Sequence, residues 1–237
     1  MTTHLVRLHR SLAIVALLSG CGGGGDATPK QHADTAVATP EHVVTPARRT
    51  VAIADTDITA IGYDRGEPSA PVAVVDFSDF GCPYCGEFER EVLPAIERDY
   101  IATGKVYFKY VPFVAGMFPN SIQATRAAEC AADEGQFWQM HDRLYASQTQ
   151  WKKSLAPFQL FQRDAEALRL DGQRFSACYV GQQSDRRTER ATAVANRVGV
   201  RVTPSFVVNG HPVEGALPLP QFRKVLDDAL ATAGRKH

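Results

Sequence analysis

Pro71-Val72-Ala73-Val74-Val75-Asp76-Phe77-Ser78-Asp79-Phe80-Gly81-Cys82-Pro83-Tyr84-Cys85 is an apolar run that ends in a Cys-x-x-Cys pair. Val72 to Phe77, interrupted only by Asp76, has the unbroken apolar character of a central strand. Beyond it, Glu87, Phe88, Val92, Leu93 and Ile96 recur with helical spacing, and Pro94 is expected to kink that helix. The cysteine pair therefore sits where a buried strand gives way to a helix. Pro83 suits the first helical position, where a missing N–H costs nothing and its fixed φ is already helical. The unpaired amides of the first turn, with the positive end of the helix dipole, favour a thiolate at Cys82. Thiol–disulfide exchange needs such a thiolate and a second thiol close enough to displace the mixed disulfide, here Cys85. Two other uses of the pair stay open. Half of a zinc site usually needs another close pair, and Cys21, Cys130 and Cys178 are far apart in sequence. A structural staple across so short a loop gains little unfolded-state entropy.

Outward from the motif, Lys105 to Val111 alternates as a second strand, Val106, Phe108 and Tyr110 against Tyr107 and Lys109, which makes a βαβ unit with the intervening helix. Helical patterns follow at Ser121 to Asp133, Phe137 to Ala146, Ala156 to Leu168, Gly172 to Tyr179 and Ser184 to Arg197, with breaks at Gly135, Pro157 and Gly181. Ser205 to Val208, the turn Asn209-Gly210, and Pro212 to Glu214 read as a β-hairpin. A last helix runs from Pro218 to about Ala233. Strands from both ends with helices between them predict a mixed α/β fold. The 26 basic and 26 acidic residues balance, so no nucleic-acid partner is expected. There is no glycine-rich phosphate loop and no internal repeat.

The start of the chain points to a compartment. Arg7 and Arg10 precede an apolar run from Leu12 to Leu18, too short for a mature span and laid out like an export signal. The run ends in Leu18-Ser19-Gly20-Cys21, which resembles the bacterial lipoprotein box, so residues 1–20 read as a signal peptide and Cys21 as a lipidated residue. An ordinary signal peptide with a stray cysteine is the other reading. Lipidation of Cys21 would leave four cysteines, an even number for an oxidising compartment. Residues 21–50, with four consecutive glycines from Gly22 and almost no large apolar residue, read as a flexible tether. Residues 51–237 suffice for one domain with a sizeable core.

With these pieces assembled, the chain resembles the DsbA-like members of the thioredoxin superfamily. The resemblance is carried by Asp76 to Cys85, Thr103-Gly104-Lys105-Val106, Ala127-Ala128-Glu129-Cys130-Ala131, Gly135 to Asp142, Phe175-Ser176-Ala177-Cys178 and Val202 to Gly210. It implies a thioredoxin fold with an inserted all-helical domain at about residues 115–198. It implies that Cys82 is the exposed nucleophilic sulfur and Cys85 the buried resolving one, with Pro83 and Tyr84 the active-site dipeptide. Asp76 matches the superfamily's buried acid, and a carboxyl inside an apolar strand should have a raised pKa suited to proton transfer with Cys85. An Asp that merely turns toward the strand end is the alternative. Thr203-Pro204 matches the loop whose proline is cis and faces the cysteines, so Thr203 can pair with an extended substrate strand. Relatives of this type imply a structural Cys130–Cys178 disulfide, with two free thiols or a second redox pair as alternatives. Trp138, His141 and Trp151 take no catalytic role, being read as packing residues.

The resemblance thus implies an exported, periplasmic or otherwise extracytoplasmic lipoprotein that introduces disulfides into unfolded or reduced exported proteins. A membrane redox partner would restore it. No metal and no cofactor beyond the Cys82–Cys85 disulfide is expected, and the protein is expected to be a monomer. Two alternatives are an isomerase or reductase kept reduced by a membrane donor, a branch that Tyr84 and Thr203 resemble, and a non-catalytic peptide-binding chaperone.

Overall fold

A five-stranded sheet in the order β1-β3-β2-β4-β5 organises the protein, which is described here from a computed structural model covering residues 57–235. Residues 1–20, Cys21, the tether and the first residues of the expected domain lie outside the described residues. The strands are β1 (Tyr63–Arg65), β2 (Val72–Ser78), β3 (Val106–Pro112), β4 (Ser205–Val208) and β5 (His211–Glu214). β2 lies at the centre, parallel to β3 and antiparallel to β4. The βαβ unit and the hairpin are therefore present where the sequence places them. Edge strand β1, antiparallel to β3, was not expected, because three residues show no periodicity.

Strand alternation divides the core in two. Val72 and Val74 of β2, with Val106, Phe108 and Tyr110 of β3 and Phe206 and Val208 of β4, face one side. Val75, Phe77, Val111 and Val207 face the other. Asp76 has the parity of the first set, so its side chain shares a face with the paired residues Tyr110 and Phe206. Lys109, on the opposite face, is buried rather than solvated, because its ammonium donates to the Ile61 carbonyl at 2.9 Å and pairs with Asp64 at 2.5 Å.

The helix after the cysteines is not a simple kinked rod. α1 (Pro83–Glu87) runs into a wide π turn (Phe88–Val92), then α2 (Leu93–Ile96) and a second π turn (Glu97–Ile101). Pro94 has no N–H to donate, and the turn before it widens until the Leu93 N–H reaches Phe88, five residues back. Glu87, counted in the apolar stripe, is exposed, and Glu89 is buried in its place.

The helical insertion comprises α3 (Ser121–Ala132), α4 (Phe137–Ala146), α5 (Gln148–Lys152), α6 (Pro157–Ala167) and α7 (Gly172–Gly181). α5 was not anticipated, since one helical turn carries too short a pattern to detect. α8 (Asp185–Arg197) falls inside the expected span of the insertion, yet Ala191, Val194 and Ala195 pack on the second face of the sheet with Val111 and Val207. α9 (Leu219–Ala233) places Phe222 and Leu226 in the first core. A disulfide joins Cys130 of α3 to Cys178 of α7, with Cα atoms 5.8 Å apart and a sequence separation of 48.

Candidate active site

Cys82 occupies the N-cap of α1 in an extended conformation, with Pro83 at the first helical position. A turn in which the Cys82 N–H donates to the Asp79 carbonyl at 2.9 Å delivers the chain from β2 into the helix. Asp79 fixes that turn: one carboxylate oxygen accepts from the Gly81 N–H at 2.7 Å and from the Ser121 hydroxyl of α3. Gly81 is required there, because a Cβ would lie 2.5 Å from the Cβ of Phe118.

Cys82 and Cys85 both carry free thiols and both are buried. Cys82 is 2 % exposed, contrary to the exposed sulfur that sequence comparison implies. The loop holding the cis Thr203–Pro204 bond covers it, and the Cys82 thiol lies 3.3 Å from the Thr203 carbonyl, to which it donates. The Cys82 pKa falls to about 6. A hydrogen bond from the Cys85 thiol contributes most, and the amides of Cys85 and Tyr84 add to it, against burial. Cys85 is pushed well above the ordinary thiol range, first by burial, then by its bond to Cys82 and by the nearby charges of Cys82 and Asp76. One thiol is thus poised to ionise and the other to stay protonated.

Asp76 is fully buried on the same face. Burial pushes its pKa well up and Glu89 adds to that, while the Ser78 hydroxyl, donating at 2.6 Å, and His141 pull it back. The pair, the acid and the cis-proline loop are brought together.

Other contacts at the site come from Gln148, Lys152 and Glu89, which the sequence did not single out, and from His141, which it read as packing. Gln148 of α5 donates to the carbonyls of Phe80 at 2.7 Å and Cys82 at 2.8 Å. Lys152, one turn on, donates to the Gly81 carbonyl at 2.5 Å. Three consecutive carbonyls of the active-site turn are held by one short helix of the insertion. Gly86 makes room, since a Cβ there would come within 2.5 Å of the Gln148 amide oxygen. Glu89 and His141 form a buried pair behind the cysteines, Oε2 to Nε2 at 3.5 Å. Glu89 follows Cys85 by four residues, a spacing that in hindsight marks the same helix face. Trp138 packs as expected, its Nε1 donating to the Asp64 carbonyl and its face stacked under Arg65. Among the described residues no cluster of three His, Cys, Asp or Glu could hold a metal, and no helix is long and apolar enough to cross a membrane.

The family model described as Thioredoxin matches residues 60–228. The chain belongs to that family. Within the thioredoxin family it groups with the DsbA-like thiol–disulfide oxidoreductases. The probable disulfide bond formation protein D of Bacillus cereus is 30 % identical over 172 residues, which cover 70 % of this chain and 77 % of that protein. The crystal structure of Wolbachia pipientis alpha-DsbA1 matches with a TM-score of 0.67 at 21 % identity, over 76 % of this chain and 98 % of that one, a likeness of fold. The Na(+)/H(+) antiporter NhaA 3 of Salinispora tropica is 36 % identical over 169 residues, 71 % of this chain and 25 % of that protein. This chain therefore spans about a quarter of the antiporter, and transport is not carried over to it.

Proposed function

We propose that this DsbA-like thioredoxin-family protein donates its Cys82–Cys85 disulfide to reduced, unfolded proteins outside the cytoplasm. A substrate thiolate attacks the Cys82 sulfur, the Cys82–Cys85 bond breaks, and Cys85 leaves as a thiolate that takes a proton from Asp76. A second substrate thiol loses its proton and attacks the substrate sulfur of the mixed disulfide. The substrate disulfide forms, Cys82 leaves as a thiolate, and two electrons remain on the reduced pair.

The observation that carries this reading is the division of labour between the two sulfurs. Cys82, with a pKa of about 6, is a good leaving group at neutral pH, and Cys85 sits beside a buried acid. Thr203, whose carbonyl lies 3.3 Å from the Cys82 sulfur, offers backbone groups to an extended segment, and the exposed side chains of Tyr84, within the motif, and Val202, beside Thr203, give an unfolded chain apolar surface. A membrane oxidant would restore the disulfide, and a monomer suffices for the cycle. Lipidation of Cys21 and a tether over residues 21–50 would hold the domain at a membrane; Cys21→Ser should then release the full-length protein to the soluble fraction, and retention would refute the anchor.

The function is tested with a reduced, unfolded test protein. The oxidised wild type should restore its disulfides, and Cys82→Ala should abolish that transfer. A Cys82→Ala variant that retains full peptide affinity while the wild type transfers no disulfide would establish a binding module instead.

A further inference from the structure

Behind the active-site pair lies a cluster of buried polar groups, of which the exchange chemistry described so far uses only Asp76. Six buried side-chain atoms among the described residues have no hydrogen-bond partner, and three belong to residues whose charges act on one another: Asp76 Oδ2, Glu89 Oε1 and His141 Nε2, the last with only an ion-pair contact to Glu89. They come from three elements, β2, the π turn after α1, and α4 of the insertion. Aromatic rings enclose them. The His141 ring stands edge-on to Tyr110 at 4.9 Å, Tyr145 at 5.0 Å and Phe80 at 5.6 Å, and Tyr110 is the cross-strand partner of Asp76. Buried polar atoms without hydrogen-bond partners are costly in such surroundings, and a cluster of them needs a reason.

The imidazole is oriented from both sides. Nδ1 lies 2.9 Å from Asp142 Oδ1 and Nε2 lies 3.5 Å from Glu89 Oε2. The groups that face His141 are Glu89, Asp76, Tyr110, Tyr145 and, on its own helix, Asp142, which in turn approaches Arg65 of β1 at 3.9 Å. Two carboxylates outweigh burial and hold the imidazole charged, with a pKa of about 9. That positive charge works with the Ser78 hydroxyl against the burial and the Glu89 charge that push the Asp76 pKa up. Asp76 in turn bears on Cys85.

We propose that His141 is a positioning residue for disulfide exchange: held against Glu89, its imidazolium favours the carboxylate of Asp76 and so the transfer of the Cys85 proton to it. The inference rests on the proposed exchange at Cys82–Cys85 and adds a component supplied by the helical insertion. The step it governs is resolution. When the reduced protein meets glutathione disulfide, the Cys82 thiolate attacks one sulfur and expels one glutathione thiolate. Cys85 then gives its proton to the Asp76 carboxylate and attacks the Cys82 sulfur, the Cys82–Cys85 bond forms, and a second glutathione thiolate leaves carrying the remaining electrons.

The test is the pH profile of that resolving step, with glutathione disulfide as oxidant. In H141Q the rising limb should move to higher pH, and the rate at pH 7 should fall roughly tenfold for each unit of displacement. In an Asp76→Asn background H141Q should move the limb no further. A limb that stays in place in H141Q, or moves equally without Asp76, would overturn the proposal. Wild-type protein inert to glutathione disulfide would overturn the exchange reading and this one with it, whereas an active wild type and an unmoved H141Q limb overturn this one alone. Should H141Q not fold, the imidazole nitrogen resonances of the wild type decide. They should report a doubly protonated ring through neutral pH that responds to Asp76→Asn, and a neutral ring below pH 7 would refute the role.

Discussion

Cys82 and His141 shift in opposite directions, and this gives the two redox forms different responses to pH. His141 binds its proton more tightly when folded, at about 9 against an ordinary 6.5. The stability it contributes is full below pH 6.5 and is lost as pH rises through 9. Cys82 binds its proton more weakly, at about 6 against an ordinary 9. Its contribution is full above pH 9 and is lost as pH falls through 6, and it exists only while the thiol is free. Each group changes stability by up to about 1.4 kcal/mol per pH unit within its window. The oxidised protein should therefore lose thermal stability from pH 6.5 to 9, and the reduced protein should lose less of it or none. Melting curves of both forms across that range check this, and parallel declines would contradict it.

At the scale of elements, the active-site turn is fixed as much by α5 as by the helix it begins. Truncating Gln148 to Ala leaves the Phe80 carbonyl without that donor and the Cys82 carbonyl with only the Gly86 N–H. Such a loss costs about 1–3 kcal/mol when the groups stay buried. Denaturant unfolding should register that cost, and titration of the Cys82 thiolate should show a displaced midpoint. A variant with unchanged stability and an unchanged midpoint would mean that α5 does not hold the turn.

The same comparison shows what was legible in the sequence. Long periodic segments such as β3, α3, α8 and α9 were readable because alternation or helical spacing recurs along them, and β2 because its apolar run is interrupted only by Asp76. The cysteines, Asp76 and Thr203-Pro204 were readable as a local motif and its family counterparts. Gln148 and Lys152 were not, because each acts through a tertiary contact that no local pattern encodes, and Glu89 shows only in its four-residue spacing from Cys85. The family resemblance implied an exposed Cys82 sulfur. The Thr203 carbonyl, 121 residues away in sequence, covers it.

For the whole molecule, the helical insertion is tied to itself and to the sheet. Within the insertion the Cys130–Cys178 bond closes a 48-residue separation, worth about 4 kcal/mol at most in the chain-entropy model. Replacing both cysteines by Ala should lower stability by up to that amount and leave the Cys82–Cys85 equilibrium with glutathione where it was. A changed equilibrium would reveal a second redox pair rather than a staple.

The direction of electron flow belongs to this scale too, because it depends on how far folding favours the Cys82 thiolate over the disulfide. The most direct measurement is the reduction potential of Cys82–Cys85 in the purified domain, equilibrated against glutathione. A disulfide donor with this acidic a sulfur should sit on the oxidising side, less negative than about −200 mV. A potential near about −270 mV, where thioredoxin lies, would contradict the account and make the protein a reductant.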